Sequence, residues 1–135
     1  MTETLPPSVL VVDDDEGVAL TFSRMLRLQG YRVDTATTPE GGLALVNQHA
    51  PDAIILDLRM PLVSGVEFLR RLRRGAHHHT SVTIVTGDYF IEDELSAEIK
   101  SLGADVCFKP LWLEDLVLVV GKMLGSAPPP ATACA

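Results

Sequence analysis

Short apolar runs alternate with longer stretches of helical spacing from one end of the chain to the other. Residues 9–12 form an apolar run that ends in acids, 53–56 one that ends at Asp57, 82–85 one that ends at Thr86, and 106–108 one that ends at Lys109. Uninterrupted runs of this length suit strands buried on both faces of a parallel sheet. Residues 31–36 alternate apolar and polar, as an edge strand does. Between the runs, Val18, Phe22, Met25 and Leu26 form one helical stripe, with Gly30 as its stop signal. Thr38-Pro39 opens a second helix with a cap and a first-turn proline. Gly41 and Gly42 weigh against that helix by about 1 kcal/mol each relative to alanine. Val66, Leu69 and Leu72 mark a third. Ile91, Leu95, Ile99 and Leu102 mark a fourth, whose first turn holds Glu92, Asp93 and Glu94, where the helix dipole favours acids. Residues 112–124 make the fifth. The order βαβαβαβαβα predicts an α/β fold, a parallel sheet covered by helices on both faces.

The pattern places residues 1–124 in one domain and leaves 125–135 as an Ala/Pro-rich tail or linker, with Pro128, Pro129 and Pro130 in a row. A length of 135 residues suits one ordinary domain with a real core. At 47% hydrophobic and 21% charged, the composition is that of a soluble globular protein. The net charge of −7 argues against direct nucleic-acid binding, since affinity for phosphate backbones comes mostly from Lys and Arg. No apolar run reaches the roughly 18 residues of a membrane span. Residues 1–8 lack the basic-then-apolar pattern of a signal peptide. Cys107 and Cys134 form neither a metal-like spacing nor a secreted disulfide framework, so a cytoplasmic protein is expected, with Cys107 a buried apolar residue.

The unusual polar residues fall at strand ends. Asp13 and Asp14 follow the first strand, Asp57 the third, Thr86 the fourth and Lys109 the fifth. Open parallel sheets bind ligands outside the carboxyl ends of their strands, so these side chains converge on one edge. Three carboxylates together need a proton or a cation between them, and a hard dication with oxygen ligands, Mg²⁺ above all, serves best. With Lys109 and the Thr86 hydroxyl added, the set suits phosphoryl transfer. A carboxylate can itself be the nucleophile, and Asp57, at the end of a central strand, is the one placed for it.

Four motifs now stand in order: residues 11–16 (Val-Val-Asp-Asp-Asp-Glu), 57–65 (Asp-Leu-Arg-Met-Pro-Leu-Val-Ser-Gly), 85–87 (Val-Thr-Gly) and 108–110 (Phe-Lys-Pro). Together they resemble the signature of the receiver domain of two-component response regulators, the CheY-like superfamily, over about residues 8–124. The resemblance implies a flavodoxin-like sheet of order 2-1-3-4-5. It also implies that Asp57 accepts phosphate from a sensor histidine kinase or phosphotransfer protein. Asp14, Asp57 and the backbone carbonyl of Arg59 would bind Mg²⁺, and Asp13 would hold a metal-bound water. Lys109 and Thr86 would bind the phosphoryl oxygens, and the Lys109-Pro110 bond would be cis.

The chain departs from the family pattern at Val106, where receivers usually carry an aromatic ring that turns inward. Two positions that vary in the family carry opposite charges here, Arg59 and Asp88; they are either a pair that modulates the site across its mouth or two solvated surface charges. Asp15 and Glu16 are expected to cap the first helix, and His77, His78 and His79 to form a solvated loop. On the last helix, Trp112, Val119 and Met123 form an apolar stripe beside the core-facing one that contains Leu116. An interaction face of Trp112, Leu116, Val119 and Met123 is expected, with the fourth helix and fifth strand, for an output partner or homodimer. A pseudo-receiver that only binds partners is the alternative. A hydrolase with an aspartyl-phosphate intermediate would want an acid two residues after Asp57, where Arg59 stands.

Overall fold

A computed structural model describes residues 5–60, 64–87 and 91–125. Strands and helices alternate as β1 (Ser8–Val12), α1 (Glu16–Leu28), β2 (Arg32–Ala36), α2 (Pro39–His49), β3 (Ala53–Leu56), α3 (Gly65–Arg74), β4 (Ser81–Thr86), α4 (Asp93–Ser101), β5 (Ala104–Phe108) and α5 (Leu113–Met123). The five strands pair in parallel in the order β2-β1-β3-β4-β5. This is the doubly wound, flavodoxin-like arrangement expected from the sequence. No helix among the described residues is long and apolar enough to cross a membrane.

The unbroken apolar runs have a two-sided explanation. Val9 and Val11 of β1 pack into a core with α1 and α5, whereas Leu10 and Val12 enter the opposite core with α2, α3 and α4. All four are essentially inaccessible to water, and each buried side chain of this size contributes about 1.5–3 kcal/mol. β2 sits at the edge, and its Val33 and Ala36 are buried while Arg32 and Thr35 face solvent.

Local signals set the helix starts. Asp15 caps α1, its carboxylate accepting from the Gly17 and Val18 N–H groups, and Glu16 is the first helical residue. The Thr38 hydroxyl accepts from Gly41 N–H at the start of α2, and Ser64 caps α3. Gly30 follows α1 at φ +91°, a conformation that suits glycine. The doubtful α2 forms because Gly42 is a packing device: a Cβ there would lie 2.9 Å from a Phe68 ring carbon and 3.0 Å from a Val12 methyl.

The last helix corrects the expected interaction face. Leu116 is fully buried and Val119 is 3% exposed, both in the core beneath α1, and Met123 packs against the same cluster. Trp112 alone of the four is open, at 66% exposure. The two stripes merge because α5 covers β4 and also leans on α1. Cys107 is buried as expected. The chain's other cysteine, Cys134, lies outside the described residues, as does the expected tail beyond Gly125.

Candidate functional site

The sheet ladders deliver the polar residues to one rim. Asp57 N–H donates to the Val12 carbonyl at 2.9 Å, and Asp13 N–H to the Ala36 carbonyl at 3.0 Å. Each pairing continues beyond its strand by one residue, so Asp13 and Asp57 are fixed side by side. Lys109 N–H donates to the Thr86 carbonyl at 2.8 Å, which ties the end of β5 to the end of β4. The Lys109-Pro110 peptide is cis, as the resemblance implied.

Asp13, Asp14 and Asp57 each offer an oxygen atom within 4.8 Å of the others. Asp13 and Asp57 are buried and Asp14 is exposed. Both Asp13 oxygens are engaged: Oδ1 accepts from Asp15 N–H at 2.9 Å, and Oδ2 accepts from Lys109 Nζ at 2.8 Å. The same ammonium lies 3.5 Å from Asp57 Oδ1. Burial first, then the Asp13 charge, pushes the Asp57 carboxyl up to about 6, against the pull of Lys109. Burial works to lower the Lys109 ammonium, but Asp13 and Asp57 outweigh it and hold it above its usual range.

One ammonium thus serves two buried carboxylates, with a third beside them. The set fits a hard cation by its chemistry: oxygen donors on three sides, and a carboxyl that resists ionisation for want of positive charge.

Thr86 is buried at the end of β4. Its register partner on β5 is Phe108. Phe108 lies on the same side of β5 as Val106, since alternate residues share a face, and both line a groove with Ile91 and Ile99 on the α4 side. Arg59 is exposed and lines a cleft of about 260 Å³ with Glu92, Glu94, Leu95 and Glu98. Its expected partner Asp88 lies outside the described residues. The three histidines occupy a turn after α3, and no metal-competent group among the described residues includes them.

Gly65 is a site residue to which sequence reasoning gave no role of its own. A methyl there would overlap the Asp57 carbonyl oxygen, and Gly65 N–H donates to the Leu58 carbonyl at 2.9 Å. Helix α3 therefore begins against the backbone of Asp57. Ser64-Gly65, a cap followed by the smallest residue, was the signal available.

Fold and rim define a class: a doubly wound α/β protein with a lysine-bridged carboxylate cluster at the carboxyl ends of its strands. The chain belongs to the response regulator receiver domain family, whose pattern matches residues 9–120. It is 34% identical over 123 residues to the transcriptional regulatory protein PrrA of Mycobacterium tuberculosis, covering 91% of this chain and 52% of that protein. It is 31% identical to the regulatory protein AtoC of Escherichia coli, over 86% of this chain and 25% of that one. The chain thus spans about half the length of the first of these relatives, or less. Its fold matches the chemotaxis protein CheY4 of Vibrio cholerae with a TM-score of 0.81 and 30% identity, covering 88% of this chain and 99% of that one. A response regulator receiver protein from Pseudomonas putida matches with a TM-score of 0.81 and 28% identity, covering 89% and 99%.

Proposed function

We propose that this receiver domain works as a Mg²⁺-dependent phosphorylation switch with Asp57 as the acceptor. The observation that carries the reading is the Asp13–Lys109–Asp57 contact beside Asp14. A carboxylate oxygen of Asp57 would attack phosphorus in a phosphohistidine of a sensor kinase or phosphotransfer protein. The Asp57 O–P bond forms as the P–N bond breaks, and the imidazole leaves with the electron pair. Asp14, Asp57 and the Arg59 carbonyl would hold Mg²⁺, which would supply charge neutralisation for the phosphoryl oxygens.

The other residues have distinct parts. Asp13, held by Asp15 N–H and Lys109, positions the ammonium and would orient a water for the ion. Lys109 moves its partnership from Asp57 to the new phosphoryl group, and the Thr86 hydroxyl takes another phosphoryl oxygen. These contacts favour one arrangement of the loops over another. Arg59 at the mouth modulates loss of the phosphoryl group, together with Asp88. Output passes through α4, β5 and the start of α5, where Trp112 is the exposed ring, to a protein partner or a second copy. The role is signalling, not turnover.

Incubation with Mg²⁺ and acetyl phosphate, followed by intact mass, tests the reading. Wild type gains one phosphoryl group, and Asp57→Ala gains none. Equal gain by both, or no gain by wild type, defeats it, and the second result favours a receiver that only binds partners.

A further inference from the structure

Helix α4 buries the fewest residues of the five described helices. Its single fully buried residue is Ile99, where α1, α2, α3 and α5 each bury three or more. Its N-cap position, Glu92, makes no side-chain cap hydrogen bond. Few buried apolar contacts and an uncapped end place a helix at the low-stability end of a fold. The polar contacts of its C-terminal half then decide where it sits.

Those contacts come from α3. The Arg70 guanidinium meets the Glu98 carboxylate as a fork, Nε to Oε2 at 2.6 Å and Nη2 to Oε1 at 2.6 Å. Glu67, one turn back on α3, accepts from Arg70 Nη1 at 3.1 Å and holds the guanidinium in place. One turn onward, Arg73 Nε donates to the Leu102 carbonyl at 2.7 Å, just past the end of α4. Its Nη1 reaches the Thr80 carbonyl at 2.6 Å and the His78 carbonyl at 3.1 Å. A cation there also suits the negative end of the α4 dipole. The Ser101 hydroxyl and Leu102 N–H both donate to the Glu98 carbonyl. Arginine forks on carboxylates are directional, so this pair fixes both distance and orientation.

The two ends of α4 are therefore held unequally. The C-terminal half is pinned by Arg70 and Arg73, while the N-terminal end borders the cleft that Arg59 and Glu92 share two residues from Asp57. We propose that Arg70 and Arg73 form a pivot for α4, and that the Arg70–Glu98 fork opposes its displacement and so sets the resting position of the switch. This rests on the phosphorylation reading above. Exposed pairs are individually weak, but a fork within a network acting on a marginally anchored helix shifts a balance that is itself small.

The proposal is tested on the full chain with Arg70→Gln, Glu98→Gln, the double variant and the charge exchange Arg70→Glu/Glu98→Arg. Two readouts are taken: amide hydrogen exchange across residues 93–101, and binding of beryllofluoride, an acyl-phosphate mimic, with Mg²⁺. Each single variant should speed α4 exchange about two- to fivefold while exchange in β1 and β3 stays unchanged. Each should tighten beryllofluoride by a similar factor, because linkage between helix position and site occupancy is reciprocal. The double variant should match the singles, and the charge exchange should move both readouts back toward wild type. Unchanged α4 exchange in the singles overturns the pivot. Faster exchange with unaltered beryllofluoride affinity reduces the fork to a structural tie and overturns its role in the switch. A wild type that takes no beryllofluoride defeats the phosphorylation reading and the coupling together, and is told apart from a failed pivot by the exchange data.

Discussion

Asp57 is a buried carboxylate whose surroundings favour the proton, and that fact reaches beyond the site into stability. An aspartate in the unfolded chain ionises near 3.8, whereas Asp57 in the folded protein ionises near about 6. Above about 6 both states are ionised, and the folded state carries the whole penalty, about 2–3 kcal/mol as an order of magnitude. Between about 6 and about 4 the folded protein takes up the proton first, and the penalty fades. Asp57→Asn removes the charge. In metal-free buffer the variant should exceed wild type in unfolding free energy above about pH 6.5, and the gap should close by about pH 4. Urea unfolding of both proteins across that range checks it. A wild type as stable as the variant at neutral pH would mean that Lys109 already balances the charge.

At the scale of elements, close approaches of backbone and helix govern more than helix propensity does. Gly42→Ala should gain about 1 kcal/mol in propensity and lose about 1–3 kcal/mol to overpacking against Phe68 and Val12. The net should be a loss, read as a lower urea midpoint at constant slope. A variant more stable than wild type would show that Phe68 yields readily. Gly65→Ala should be worse, since the methyl would meet a backbone oxygen that cannot turn aside, and phosphoacceptance at Asp57 should fall with it. The sequence made Gly42 look like a defect because propensity is local, while the need for a missing Cβ there comes from β1 and α3. Strand ends were legible for the opposite reason: residues 9–12 and 53–56 announce themselves by unbroken apolarity, and their next residues are the site. The wide apolar surface of α5 was legible, but its destination was not. A helix leaning on both a sheet and α1 buries a wider arc than one face, so Val119 went inward beside Leu116 of the core-facing stripe. The Arg70–Glu98 fork joins residues 28 apart and carries no periodic mark at all.

Across the whole molecule, the acidic rim links metal, proton and fold. If Asp57 holds Mg²⁺ as proposed, the ion and the Asp57 proton compete for the same oxygens, so the ion's affinity should weaken as pH falls through about 6, approaching about tenfold per unit below it. Above that value it should level off, because the proton is already gone. Asp13, Asp14 and Lys109 face the same space, but Lys109 keeps its charge throughout this range, and its field is a constant background. Mg²⁺ at about a hundred times its dissociation constant should add about 2.7 kcal/mol to the folded state. Thermal unfolding should therefore show a Mg²⁺-dependent rise in midpoint for wild type at about pH 8 that shrinks towards about pH 5. In Asp57→Asn the rise should be small and indifferent to pH, since the titrating ligand is gone. Calorimetry in two buffers of different ionisation enthalpy supplies the independent reading, a proton released on Mg²⁺ binding near about pH 5.5 and none near about pH 8. Affinity that stays flat across that range would mean the ion and the Asp57 proton occupy different places, and the acceptor would then lack the neutralising partner its chemistry requires.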